Sequence, residues 1–154
     1  MRRARGFSLI ELLVVLAVLG LLASLAMPAA EVTLQREKER ELKRALWEIR
    51  DAIDAYKRAA DAGSIAAASD SGYPPTLASL VQSVPDAKSA GGRLFFLRRI
   101  PRDPFADSRL PADQTWRLRS YASESDNPQP GADVYDVSSS SDATALNGTW
   151  LREW

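Results

Sequence analysis

The chain carries a carboxylate in a setting that is hostile to one. Glu11 lies near the start of FSLIELLVVLAVLGLLASLAM, an apolar run of 21 residues from Phe7 to Met27 that contains no Lys or Arg. At bilayer depth an acidic side chain costs about 2.5–3.5 kcal/mol, so an acid kept there requires a partner. Arg2, Arg3 and Arg5 all precede the run, in the leader MRRARG. The remaining cation able to sit at that depth is an α-amino group made by cutting just before Phe7, on this chain or on a neighbouring copy. Glu11 therefore points to processing and assembly. Other chemistry is sparse. With no Cys and no His among 154 residues, disulfide frameworks, thiolate nucleophiles, Cys/His zinc sites and imidazole acid–base catalysis are excluded. Ser, Asp, Lys and Glu occur in no spacing that makes a nucleophile elbow, a phosphate loop or a paired-carboxylate site, so no enzyme is expected.

The element that must position Glu11 is a helix. Its 21 residues at about 1.5 Å each cover roughly 30 Å, the thickness of a bilayer's hydrocarbon core. The three leader arginines predict that residues 1–6 stay cytoplasmic and that everything after Met27 emerges on the other side of the inner membrane. An early acid also argues against a conventional secretory signal. Pro28 sits where the span ends, and a helix passes it only with a kink. Beyond it, Leu42, Leu46, Ile49, Ile53 and Tyr56 alternate at spacings of four and three. That is one apolar stripe, with Glu39, Lys43, Arg50, Asp54 and Lys57 largely outside it. The charged stretch before Leu42 reads as a neck between membrane and domain. Taken from Phe7 to Asp61, the helix would run roughly 80 Å, a lollipop stick.

Residues 62–75, with Gly63, Gly72, Pro74 and Pro75, end the helix in a loop. Thr76 is positioned to cap a short helix carrying Leu77, Leu80 and Val81. Residues 93–100 form a short apolar and basic run that Pro101 and Pro104 break. Strand periodicity follows at 115–121, where Trp116, Leu118 and Ser120 alternate with Arg117, Arg119 and Tyr121, and again at 133–138. Two or three short antiparallel strands are expected. A sheet that small needs a helix on one face, and the stripe from Leu42 to Tyr56 supplies it. Charge is uneven: residues 93–119 hold seven Arg and three Asp, whereas 120–154 hold one Arg and six acids. Opposite patches on one domain suit identical subunits stacked in a helical array. The same arginines offer a nucleic-acid reading through Arg98, Arg99 and Arg117, against which stands the acidic excess of the chain after residue 6.

Gly6-Phe7-Ser8-Leu9-Ile10-Glu11, the apolar stretch after it and Pro28 together resemble the class III signal of type IV pilins and type II secretion pseudopilins. Tyr73-Pro74, Ile100-Pro101-Arg102-Asp103-Pro104-Phe105 and Asp133-Val134-Tyr135 resemble segments of the protein G (major pseudopilin) family. The resemblance implies an α+β pilin-like fold, a long N-terminal helix packed on a small antiparallel sheet. It divides the chain into a leader (1–6), a transmembrane segment (7–27), an amphipathic stalk helix (28–61) and the rest of a periplasmic domain (62–154). It further implies cleavage between Gly6 and Phe7 by a prepilin peptidase, N-methylation of Phe7, and assembly roles for Glu11 and Pro28. The expected partners are further copies in a helical filament, other pseudopilins and an inner-membrane assembly platform, with the membrane involved and nucleic acid not. The implied function is a pseudopilus that drives protein export; the alternative is a minor type IV pilin in pilus assembly, adhesion or DNA uptake, and the absence of Cys counts against an adhesin whose last loop is disulfide-pinned. In the family, the loop corresponding to Val137–Asp142 holds calcium, which asks for about six to eight oxygens. Asp136, Ser138, Ser140 and Asp142 furnish part of such a shell. The serine run favours instead a loop held by side-chain to backbone hydrogen bonds.

Overall fold

The computed structural model describes residues 8–154, and their side chains except at 25–29. The fold is α+β. Helix α1 spans Leu9–Asp61 and passes through Pro28. It stops where Gly63 takes φ 65°, a left-handed turn that costs glycine little. The Gly63 and Ser64 amides then donate back to the carbonyls of Ala60 (2.9 Å) and Ala59 (2.8 Å). Internal contacts separate a first unit, ending at Glu37, from a second, Lys38–Trp154.

In the second unit the stripe expected from spacing is the wall of the core: Leu42, Leu46, Ile49, Ile53 and Tyr56 are all buried. Ala45 and Ala52 fill the gaps between them. Against this face pack Ile65, Leu77, Leu80, Leu97, Trp116, Val134, Val137, Ala145 and Leu151. The short helix α2 is Ala78–Val81. Its N-cap is Leu77, one residue later than expected, although the Thr76 hydroxyl does accept the Ser79 amide at 3.3 Å.

The sheet content differs from the expected two or three strands. Among the described residues four short strands form two antiparallel pairs, β1 (Val84–Pro85) with β2 (Arg93–Leu94), and β3 (Trp116–Arg119) with β4 (Asp136–Ser139). In the second pair Trp116 faces Ser139 and Leu118 faces Val137. The expected strand at 115–121 shortens because Ala112–Thr115 forms a 3-10 turn. The one expected at 133–138 starts later, because Asp133 and Val134 are held by other partners: the Val134 amide donates to the Pro74 carbonyl at 2.8 Å.

Two buried carboxylates tie these segments together. Asp103 is 2% exposed; its Oδ1 accepts the Phe105 amide (2.8 Å) and its Oδ2 the Ser139 hydroxyl (2.6 Å). The turn before β3 is thereby fastened to β4, and the Trp116 indole N–H donates to the Pro101 carbonyl at 2.9 Å. Asp133 is likewise buried and accepts from the Ser71 hydroxyl, the Ser120 hydroxyl (2.8 Å) and the Tyr121 amide (2.8 Å). Gly131 packs so close to Ser120 that an added Cβ would lie 2.7 Å from its hydroxyl. Burial raises the Asp133 pKa, but the hydrogen bonds from Ser71, Tyr121 and Ser120 outweigh it and hold the carboxyl below its ordinary 3.8. Above these groups Tyr73 packs edge-on to Tyr135, with ring centroids 5.0 Å apart, and stacks with Tyr121.

Two outcomes follow for the full chain in detergent. Ile53→Ala should cost about 2–5 kcal/mol in urea unfolding, whereas Trp47→Ala, at a side chain on the same helix that is 76% exposed, should stay within about 0.5 kcal/mol. The depressed Asp133 pKa makes its stabilisation fully present above its unfolded-state pKa and lost as pH falls through the lower folded value. Acid titration of the unfolding midpoint should show this loss below about pH 4. Asp133→Ala should remove it and cost about 2–4 kcal/mol at pH 7.

Candidate functional site

The described side chains of the first unit have almost nothing over them. Residues 8–24 are exposed throughout, among them Leu9 (77%), Leu16 (60%) and Leu21 (63%). Leu, Val and Ile occupy every side of these turns, and a helix that is apolar all round requires an apolar cover. The one hydroxyl of the segment after Ser8, that of Ser24, donates to the Leu21 carbonyl at 2.7 Å. That hydroxyl is thus satisfied within the helix, as a hydrocarbon setting demands. Glu11 sits in the first turn, exposed among these residues. Gly6 and Phe7, expected at the processing point, lie outside the described residues. So do Phe7 and the side chains of 25–27 within the expected span 7–27. Among the described residues no helix is long and apolar enough to cross a membrane. Pro28 falls within α1.

In the second unit the structure places Asp136, Ser138, Ser140 and Asp142 differently from a calcium shell. The Asp136 Oδ1 receives the Arg50 Nε at 2.8 Å and the Val137 amide at 2.8 Å. Asp142 faces two guanidiniums, Arg152 at 3.0 Å and Arg117 at 3.9 Å. Both carboxylates are already paired with positive charge, and among the described residues no group of three or more acidic side chains converges as a metal site. The arrangement does not fit a calcium ion, which needs converging oxygens rather than neighbouring cations. The loop is instead closed by its serines: the Ser139 hydroxyl accepts the Ser141 amide (3.1 Å) and the Ser141 hydroxyl the Ala143 amide (3.2 Å).

The arginines expected as a basic patch are mostly used internally. Arg93 binds Ser83, Arg102 the carbonyls of Asp107 and Leu110, Arg109 the Asp107 carboxylate, and Arg119 lies over the Tyr135 ring at 4.9 Å. Arg98 and Arg99 remain exposed. The C-terminal anchor is Leu151, fully buried, with its amide on the Ala143 carbonyl at 3.0 Å. Trp154 packs over Lys43 of α1 at 4.4 Å, and Trp150 is 43% exposed.

Spacing places Arg50 largely outside the stripe, and from there it makes three hydrogen bonds to β4 and the last segment of the chain. The signal was available, since Arg50 is four residues after Leu46 and three before Ile53, at the border of the stripe. No comparable signal marks Asp103 or Asp133, whose burial depends on residues distant in sequence.

Residues 1–27 match the family described as the prokaryotic N-terminal methylation motif. The chain is 32% identical over 113 residues to the type II secretion system core protein G of Klebsiella pneumoniae, covering 68% of this chain and 71% of that protein. It is 26% identical over 107 residues to the core protein G of Vibrio cholerae serotype O1, covering 70% and 69%. No solved structure matches the chain significantly. A methylation motif over residues 1–27, and 32% identity to a core protein G over 68% of this chain and 71% of that protein, place this chain in the type II secretion system core protein G family of pseudopilins.

Proposed function

We propose that the chain is a structural subunit that polymerises, through its apolar helix, into a periplasmic pseudopilus driving protein export. The observation that carries this reading is the helical segment 8–24, exposed at every residue and apolar on every side. Such a surface exceeds anything a monomer leaves to water. It has two chemically suitable covers in sequence: lipid before assembly and the same segment of other copies afterwards. The three leader arginines set orientation, leader inside and the second unit in the periplasm. A prepilin peptidase cuts between Gly6 and Phe7, Phe7 is N-methylated, and residues 7–27 anchor the subunit in the inner membrane until an assembly platform extracts it.

Glu11 gives the step its register. Its carboxylate pairs with the amino group of Phe7 on a neighbouring copy, which makes burial of both charges tolerable only when the two helices are correctly offset. Pro28 marks the exit of α1 from the apolar layer. The role asked of the chain is mechanical, and no catalytic group is assigned.

The test is the protein content of culture supernatant from a strain lacking this chain, complemented with wild type or with Glu11→Ala. Wild type should restore a defined set of exported proteins, and Glu11→Ala should not, while accumulating in the inner membrane at wild-type level with an unchanged unfolding midpoint. Export restored equally by Glu11→Ala would remove the register role. A supernatant unaffected by loss of the chain would remove the export reading altogether.

A further inference from the structure

One of the four positions at which the resemblance implies calcium, Asp136, receives a different cation, one that belongs to the chain. Arg50, rising from α1 beside Ile49 at the edge of the core wall, directs three hydrogen bonds outward. Its Nε donates to Asp136 Oδ1 at 2.8 Å, and its Nη2 to the main-chain oxygens of Val137 at 2.9 Å and Trp154 at 2.6 Å. A carboxylate and two main-chain oxygens are the oxygen types a hard metal ion would collect. They are gathered here from β4 and from the segment after Leu151, which lie far apart in sequence. The remaining carboxylate, Asp142, is taken by Arg152 and Arg117. Arg50, Arg117, Arg119 and Arg152 all line one cleft of about 600 Å³ beside β3 and β4. Asp126, Asp136 and Glu153 line the same cleft, so guanidiniums outnumber carboxylates there by four to three.

We propose that Arg50 is the built-in cation of this domain, holding β4 and the last segment of the chain to α1, so that their order does not depend on calcium. A planar guanidinium suits the task because its N–H groups diverge at fixed angles and reach several acceptors at once. Unlike a bound ion it cannot dissociate, so the second unit keeps its shape whatever the divalent-ion content of the surroundings. The inference concerns the folding of the second unit and stands independently of what the chain assembles into.

The experiment uses the full chain in detergent, with thermal unfolding followed by circular dichroism and by tryptophan emission, in a Trp47→Phe, Trp116→Phe background so that the emission reports on Trp150 and Trp154. For wild type, excess EDTA and millimolar calcium should give midpoints within about 1 °C of each other, and calorimetric titration with calcium should show no saturable heat. Arg50→Ala should lower the midpoint by roughly 5–15 °C in both buffers, with a change in tryptophan emission. Arg50→Lys, keeping the charge but losing the fork, should recover only part of that loss. Should Arg50→Ala yield no folded protein, Asp136→Asn reads the same contact, with a smaller fall expected. A wild-type midpoint raised by several degrees in calcium, a saturable one-to-one titration, or a wild-type midpoint in Arg50→Ala or Asp136→Asn would each overturn the proposal.

Discussion

An α-helix with apolar side chains on every face cannot be left in water, and nothing in this chain's described residues covers the first turns of α1. That constraint organises the rest. In the function proposed above, the cover is lipid before assembly and other helices after it, and the single acid at Glu11 is costly unless a cation is delivered to the same depth. On that proposal the leader arginines, cleavage before Phe7 and the repetition of identical subunits answer one problem, and Glu11, the residue that burdens the isolated state, gives assembly its specificity by admitting only a particular offset between copies.

The second unit obeys the opposite logic. Its two sheets are of two to four residues per strand, too small to be stable alone. The core is therefore organised around the stripe from Leu42 to Tyr56, and the loops are held by buried polar anchors. Asp103 fastens the turn before β3 to β4, Asp133 gathers Ser71, Ser120 and Tyr121, and Arg50 reaches from the helix to β4 and Trp154. Loss of one such anchor strands several donors or acceptors at once, which is why the domain is specified by a few polar residues as much as by its apolar wall.

Much of this was legible in the amino-acid order, and the physical reason is locality. The stripe on α1, the end of the helix near Gly63 and the alternation at Trp116–Arg119 depend on neighbours within a turn or a strand, so periodicity exposes them. The uncovered apolar run and Glu11 were equally plain, because their meaning is a conflict visible within a few residues. What was not legible depends on long-range partners. The delayed start of β4 follows from Val134 bonding to Pro74, and the pair of β1 with β2 joins segments too short to carry a pattern. Around the serine-rich loop at 137–142 the counter-charges of Asp136 and Asp142 were not legible, because Arg50 and Arg117 lie distant along the chain from the acids they neutralise.

The central claim is that the apolar face of α1 is covered by copies of itself. The most direct test places a photo-crosslinking benzophenone side chain at Leu16, in the middle of the exposed segment, in full-length chain made in cells that carry the complete secretion machinery. Irradiation should give a ladder of this chain's own dimers and higher multimers, and the ladder should collapse when Glu11→Ala is added. Crosslinks to lipid alone, or to an unrelated protein with no multimers of this chain, would contradict the account.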